Sequence, residues 1–479
     1  MNDKVITFGC RLNFSESQII ADHLKNLGLE DDVIVVHSCA VTQNAEKESL
    51  NKVKELIKKY SVNEVLDSAH NDELSKINKD SNVSKKKIFV TGCSAQLNPD
   101  KYLALGVDRV IGNENKLEID SYKNYGLVGN SEKKKIWSDI SNVRKIDSLP
   151  KTTIIEGRTR GLIQIQNGCD HDCTFCVIYK ARGKNRSVPL ADIFEQVRIL
   201  VENNYQEIVF TGVDITDYGK DIGKYLVEFS ENHSQNENKN EATSGSKLNL
   251  AKLIKKTLNL FPKVNRLRLS SIDVAEIDDE LFNLLASEPR IMPYIHISMQ
   301  SGSNLILKRM KRRHLSQNIR DFCLNLLKLR SDIVFGADII AGFPTETDEN
   351  FQETVKLISE EIPNFVHLHI FPFSAHSGTA AARMPQINGR IIKERAKILR
   401  EIHYKNKLQL FEKILITQNI TDVLFETNAI GKTPQFFKVK LVNNHQDVII
   451  GKILKTRLIG IEKDSKNFLN PFYFIGEIL

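Results

Sequence analysis

From Thr153 onward the chain alternates short apolar runs with stretches of helical spacing, and this alternation constrains the fold more than any other feature. GLIQIQ, EIVFTG, RLRLSS, YIHISMQ, IVFGADIIAG and FVHLHIFPF read as six strands. Stretches 191–203, 250–260, 279–286, 316–329 and 346–360 carry helical periodicity and separate them, and a long helix over 390–412 closes the unit. Strands joined through helices pair in parallel, as an open sheet or partial barrel. The most apolar stretch, 333–343, is interrupted by Asp338, so it suits a buried strand rather than a membrane span of about 18 apolar residues.

The first 145 residues repeat the theme on a smaller scale. VITFG, VIVVHS and KIFVTG are strands ending at Cys10, Cys39 and Cys93, with helices expected over 15–26 (Ser15 as cap, Gly28 as stop) and 45–60. Ligands usually bind where the carboxyl ends of parallel strands converge, so three cysteines in that one position can meet at a single metal. The last region, 413–479, changes character: ILITQ, VLFET, FFKVKLV, DVIIGKILKTRLIGI and FYFIGEIL read as the short strands of a small all-β barrel. The expected fold class is therefore α/β, with an open-sheet unit over 1–145, a (β/α)6 partial barrel over 153–400 and a β barrel over 413–479. Polar segments at 61–87 and 230–247 read as surface insertions.

The sharpest chemical signal is Cys169-Asp-His-Asp-Cys173-Thr-Phe-Cys176, on a loop just after a strand. Three thiolates at this spacing can wrap three irons of one cubane and leave the fourth open for another ligand, and thiolates are the soft donors such clusters need. Zinc is the competing reading, but structural zinc usually takes four protein ligands in paired short spacings. His171 lies inside the loop between cysteines. The chain has seven cysteines, an odd count that argues against a disulfide framework and towards metal or catalysis. Cys323, in a helical apolar pattern with Phe322 and Leu326, reads as core.

These motifs resemble the radical S-adenosylmethionine enzymes. The resemblance implies a 4Fe-4S cluster on Cys169, Cys173 and Cys176 whose open iron binds S-adenosyl-L-methionine. Reduction would cleave that cofactor to a deoxyadenosyl radical. The stretches Gly9-Cys-Arg-Leu-Asn13, His37-Ser-Cys-Ala-Val-Thr42 and Val90-Thr-Gly-Cys-Ser-Ala-Gln96 are similar to the methylthiotransferase branch. There the three cysteines hold a second 4Fe-4S cluster that carries the sulfur to be inserted. FTGVDITDYG, HISMQSGSNLILKRMKRR and FPFSAHSGTAAARMPQ look closest to the MtaB group, which acts on threonylcarbamoyladenosine beside the tRNA anticodon. The segment from Gly431 to Val439 resembles the start of the TRAM module, a small RNA-binding barrel. By the same likeness, Gly212, Gln300, Ser301, Gly342 and Pro344 are candidate cofactor-binding positions.

Net charge is +7, with Lys308, Arg309, Lys311, Arg312 and Arg313 crowded into six residues, which suits a polyanion such as a tRNA anticodon loop. Cluster chemistry of this kind also implies an electron donor such as flavodoxin or ferredoxin. MNDKVITFGC lacks the pattern of an export signal, so a cytoplasmic enzyme without a membrane partner is expected. The competing functions are methylthiolation of isopentenyladenosine in tRNA or of a ribosomal protein and, from another class, a non-catalytic RNA-binding protein stabilised by zinc.

Overall fold

The computed structural model describes residues 4–66, 86–123, 134–146, 159–222, 247–442, 450–464 and 472–479. The polar segments read at 61–87 and 230–247 fall mostly outside them. Five parallel strands form the N-terminal sheet: β1 (Val5–Thr7), β2 (Val33–Ser38), β3 (Lys87–Gly92), β4 (Arg109–Ile111) and β5 (Lys135–Ile136), in that spatial order. Their β-branched and aromatic centres are buried on both faces, as in Val35, Val36, Phe89 and Val90. The register sets Thr7 beside His37 and Ser38 beside Gly92, so three strands finish side by side. The first helix spans Arg11–Asn26 with Cys10 as its N-cap residue, earlier than the Ser15 cap expected. Leu12 already sits on the buried stripe, and the Ser15 hydroxyl instead donates to the Leu162 carbonyl at 3.5 Å.

The central unit is a partial barrel. A small hairpin, β7 (Gln166–Asn167) with β8 (Arg186–Ser187), follows β6 (Arg160–Gln164). Then come β9 (Glu207–Thr211), β10 (Arg266–Leu269), β11 (Tyr294–Gln300), β12 (Val334–Ala341) and β13 (Phe365–Pro372). Strands β6, β9 and β10 pair in parallel, as do β11, β12 and β13. Parallel bridges Leu267–Ile291 and Ile272–Ile297 join the two sets. Alternate residues such as Ile295, Ile297, Ala337, Ile339, Leu368 and Ile370 pack outward into the shared core under the helices. Tyr294, His296, Asp338, His367 and His369 alternate with them and so face the inner side. The helix expected over 346–360 begins at Asp348, capped by Thr347, and ends in a π turn over Leu357–Glu361.

β14 (Ile420–Phe425), β15 (Ile430–Lys432), β16 (Lys438–Leu441), β17 (Ile453–Lys463) and β18 (Phe472–Ile478) close the C-terminal barrel. One expectation fails here: ILITQ is not a strand, because helix Gly389–Thr417 runs through it. Leu410, Phe411, Ile414 and Leu415 recur at helical spacing against the barrel core, and Phe411 stacks on Phe474 with ring centroids 4.1 Å apart. Burial of that stripe overrides the strand preference of the β-branched residues. The β15–β16 turn docks on the partial barrel, where Arg268 donates to Pro434 O and His367 lies 3.0 Å from Gln435 O. Among the described residues no helix is long and apolar enough to cross a membrane.

Candidate active site

The loop carrying Cys169, Cys173 and Cys176 runs from β7 into helix Ile178–Arg182. Each sulfur meets one N–H: His171 N donates to Cys169 Sγ at 3.4 Å, Arg312 Nη1 to Cys173 Sγ at 3.5 Å and Ile178 N to Cys176 Sγ at 3.3 Å. Burial pushes the Cys176 thiol up to about 11 and raises Cys169 further, with Asp214 adding to it. Such thiols ionise when a cation binds them, and N–H donors aimed at each sulfur then stabilise the charge. The donor set fits an iron–sulfur cluster. His171 reaches Asp214 at 3.1 Å and Asp217 at 3.5 Å, with a ring nitrogen within 4.8 Å of Cys169 Sγ. Hydrogen bonds to these two carboxylates raise it to about 10, so its imidazolium ties the loop to the turn after β9. A cavity of about 240 Å³ opens beside Cys173 and Cys176, lined also by Tyr179, Lys180, Lys311 and Ala380.

The second trio gathers at the carboxyl edge of the N-terminal sheet. Cys10 opens the first helix, Cys39 follows β2 and accepts from Val41 N at 3.4 Å, and Cys93 follows β3. The thiols are mutual electrostatic neighbours, and burial pushes Cys39 up to about 12. Gly9 takes φ +93°, and a Cβ there would stand 2.4 Å from Cys39 Sγ, so only glycine lets β1 end against that sulfur. Cys93 packs with Ala40 against Val177 and Ala181, the start of the helix that leaves the first trio. The two cysteine sets are thus joined through one short helix.

Beneath that junction lies a buried ion network. Arg182 forks onto Glu16 with Nη1–Oε1 and Nη2–Oε2 both at 2.9 Å, and donates to Asn13 Oδ1 at 2.6 Å. Lys116 Nζ donates to Glu16 Oε2 at 2.6 Å, and His37 Nε2 is 3.5 Å from the same oxygen. Arg182 and Lys116 hold the Glu16 carboxyl far below the usual range despite its burial. Two guanidinium or ammonium groups against one carboxylate leave net positive charge, and Arg182 faces Cys93 and Cys10 as well.

Comparison with known proteins agrees with this arrangement. The radical SAM superfamily model matches residues 163–358, and that of the uncharacterized protein family UPF0004 matches residues 3–66. The threonylcarbamoyladenosine tRNA methylthiotransferase MtaB of Rickettsia prowazekii is 44% identical over 464 residues, covering 97% of this chain and 96% of its own. The chain belongs to this methylthiotransferase family. The MtaB protein of Thermotoga maritima is 37% identical, covering 85% and 84%. A tRNA-2-methylthio-N(6)-dimethylallyladenosine synthase of Orientia tsutsugamushi is 28% identical over 96% of both chains. Among solved structures, the radical S-adenosylmethionine methyltransferase TsrM of Kitasatospora setae shares the fold, with a TM-score of 0.51 at 11% identity over 79% of this chain and 77% of that one.

Membership in this family implies S-adenosylmethionine and a 4Fe-4S cluster, and gives the remaining candidates a frame. Gly212 follows β9 against Gln166, whose Oε1 accepts from Val213 N and Asp214 N at 2.9 and 2.8 Å. Gln300 ends β11 with φ +70°, while Ser301 points to Thr354 and is a fastening for the turn. Gly342 and Pro344 lie in the turn after β12, where Gly342 N donates to Glu346 Oε2 at 3.0 Å and Phe343 packs with Phe175 of the cysteine loop. The basic cluster divides. Lys308 and Lys311 are exposed, the latter 2.7 Å from Asp172, whereas Arg309 donates to Thr345. Arg312 is largely enclosed between Cys173 and Asp273, at 2.8 Å from the latter, and Arg313 pairs with Asp273 and Glu276. Spacing alone read Arg312 as part of a basic cluster and gave Arg182, Glu16 and Lys116 no place in the site, because each meets its partner across the fold. The one local hint was Asn13 and Glu16 on one helical face just after Cys10. Cys323 is wholly buried in the core, and of the two β13 histidines His367 is buried and His369 half exposed.

Proposed function

We infer that this chain transfers a methylthio group to C2 of N6-threonylcarbamoyladenosine at position 37, beside the tRNA anticodon. The observation that carries the reading is the joining of two cysteine trios across one short helix, in a chain 44% identical to an MtaB protein along nearly its whole length. Cys169, Cys173 and Cys176 would hold the cluster that binds S-adenosylmethionine, and Cys10, Cys39 and Cys93 a second 4Fe-4S cluster. When bound, these groups supply a deoxyadenosyl radical and the methylthio sulfur, chemistry an unactivated ring C–H bond requires and side-chain acids and bases do not provide.

The chain's own residues position and shield. Arg312 donates to Cys173 while Asp273 neutralises it, His171 clamps the loop, and the turns at Gly212, Gln300 and Gly342–Pro344 bound the space for the cofactor. Lys311, which lines the cavity at Cys173, and the exposed Lys308, together with the C-terminal barrel, are the surfaces assigned to the anticodon loop, where turning a base outward costs less than in a duplex. An electron donor such as flavodoxin or ferredoxin and a cytoplasmic location complete the reading. Its test is nucleoside mass spectrometry after anaerobic incubation with S-adenosylmethionine, reductant and tRNA bearing threonylcarbamoyladenosine. A methylthio-threonylcarbamoyladenosine peak, absent with Cys173→Ala, is expected. Deoxyadenosine without that peak would move the substrate to the isopentenyl or protein class, and neither product from iron-replete protein would end the catalytic reading.

A further inference from the structure

The inner face of the partial barrel carries polar groups that the cluster chemistry does not use. Arg11, the residue after Cys10, places its guanidinium 5.8 Å from the Phe436 ring centroid. Arg160, Arg268 and Lys432 lie over the same ring, each at 4.8 Å. Three of the other cations here have carboxylate partners: Arg268 holds Glu207 at 2.8 Å, Arg266 is 3.7 Å from that carboxylate, and Arg160 holds Glu426 at 2.6 Å, while Lys432 has the Phe436 ring. Among the described residues Arg11 donates no hydrogen bond and makes no salt bridge. Among the described residues five cations thus face Glu207 and Glu426, and one of the two that make no ion pair, Arg11, stands next in sequence to a cysteine of the sulfur-bearing trio.

Arg11 also lies within electrostatic reach of a second group, His296, Asp338 and His369 on β11, β12 and β13. Their ligand atoms stand within 4.8 Å of one another, with His296 Nε2 3.6 Å and His369 Nδ1 3.2 Å from Asp338 Oδ1. His296 Nδ1 is 2.8 Å from Ser271 Oγ, while its Nε2 is buried without a hydrogen-bond partner. His369 is half exposed, so the group opens to solvent at one side. A guanidinium that donates to nothing in a largely enclosed site and a buried ring nitrogen without a hydrogen-bond partner are costly unless a ligand completes them.

We propose that Arg11 is the reader of the substrate's carboxylate, and that His296, Asp338 and His369 take the hydroxyl and urea groups of the same threonylcarbamoyl arm. This deepens, and rests on, the function inferred above. The arm leaves the adenine at N6, away from the reacting C2, and ends in a carboxylate, which a guanidinium fork matches with two parallel hydrogen bonds. An isopentenyl arm has neither charge nor hydrogen-bonding groups and would leave Arg11 and His296 unmet, so the pocket discriminates against it.

The test is binding of fluorescent anticodon stem-loops to the reconstituted enzyme, read by anisotropy. The loops carry threonylcarbamoyladenosine, its carboxamide analogue, or plain adenosine. For the wild type, the carboxamide loop is expected to bind about 10- to 100-fold more weakly than the carboxylate loop, the range for losing a charge-assisted hydrogen-bonded pair. Arg11→Gln is expected to bind these two loops alike, with plain-loop affinity and iron content unchanged. The carboxamide comparison uses unaltered protein, so it decides the matter even if the variant does not fold. A wild type that prefers the threonylcarbamoyl loop but treats acid and amide equally, or an Arg11→Gln protein that still separates them, overturns the pocket alone. A wild type that does not prefer the threonylcarbamoyl loop over plain adenosine overturns the substrate reading and the pocket together.

Discussion

Glu16 offers a quantitative test of how the two cysteine-bearing units are held together. It is wholly buried and, among the described residues, is the only carboxylate in direct contact with Arg182 and Lys116, both also wholly buried. Glu16→Gln keeps the shape and removes the charge, leaving two desolvated cations facing an amide. Breaking a buried pair in this way typically costs about 3–5 kcal/mol, because the orphaned charges remain in a poorly solvating interior. At roughly 2–3 kcal/mol per molar urea, the midpoint falls by about 1–2.5 M. The assay is built in: Trp137 is the chain's single tryptophan and sits at the end of β5, its Nε1 donating to Gln96 O at 2.9 Å, so its fluorescence follows the N-terminal sheet. Lys52→Ala is the control, since Lys52 and Glu55 form an exposed helical pair worth about 0.5 kcal/mol or less. The pH dependence has a definite sign. A carboxyl held below its ordinary 4.5 contributes stability that is complete above that value and lost as pH falls through the depressed one, so the gap between wild type and Glu16→Gln closes only in strong acid. A midpoint for Glu16→Gln as close to wild type as the control's would refute the claim that this network joins the units.

Three further outcomes follow from the same structure. Gly168→Ala places a Cβ 1.9 Å from Lys184 O at φ +75°, so the first cysteine loop cannot close as observed, and anaerobically reconstituted protein should bind less iron; wild-type iron content would contradict this. Phe436→Ala removes the ring on which four cations rest and is expected to cost about 3 kcal/mol, seen as faster limited proteolysis between the partial barrel and the C-terminal barrel. Lys407 is buried and burial depresses it to about 7, so the melting temperature of Lys407→Met relative to wild type should be highest at pH 7 and below and fall towards pH 10, as the folded wild type sheds the proton; a difference that does not change with pH would show that the amine is not desolvated.

Much of this protein is legible in its sequence. The six strands of the partial barrel and the three that end at Cys10, Cys39 and Cys93 are set by short apolar runs and the turns that bound them, which are short-range properties of the chain. The spacing of Cys169, Cys173 and Cys176 is equally local, because one loop carries all three. What the tertiary structure alone decided is long-range. Arg312, read as part of a basic surface, turns inward to Cys173 and Asp273, since a residue's neighbours across the fold determine whether its charge meets water or a partner. ILITQ, strand-like by composition, became the end of a helix because Phe411, Ile414 and Leu415 had the barrel core to cover. The ion network of Glu16, Lys116 and Arg182 spans 166 residues of sequence, and the inner-face group around Arg11 draws on all three units. No local pattern encodes such meetings, which exist only once parallel strands have brought distant segments to a common edge.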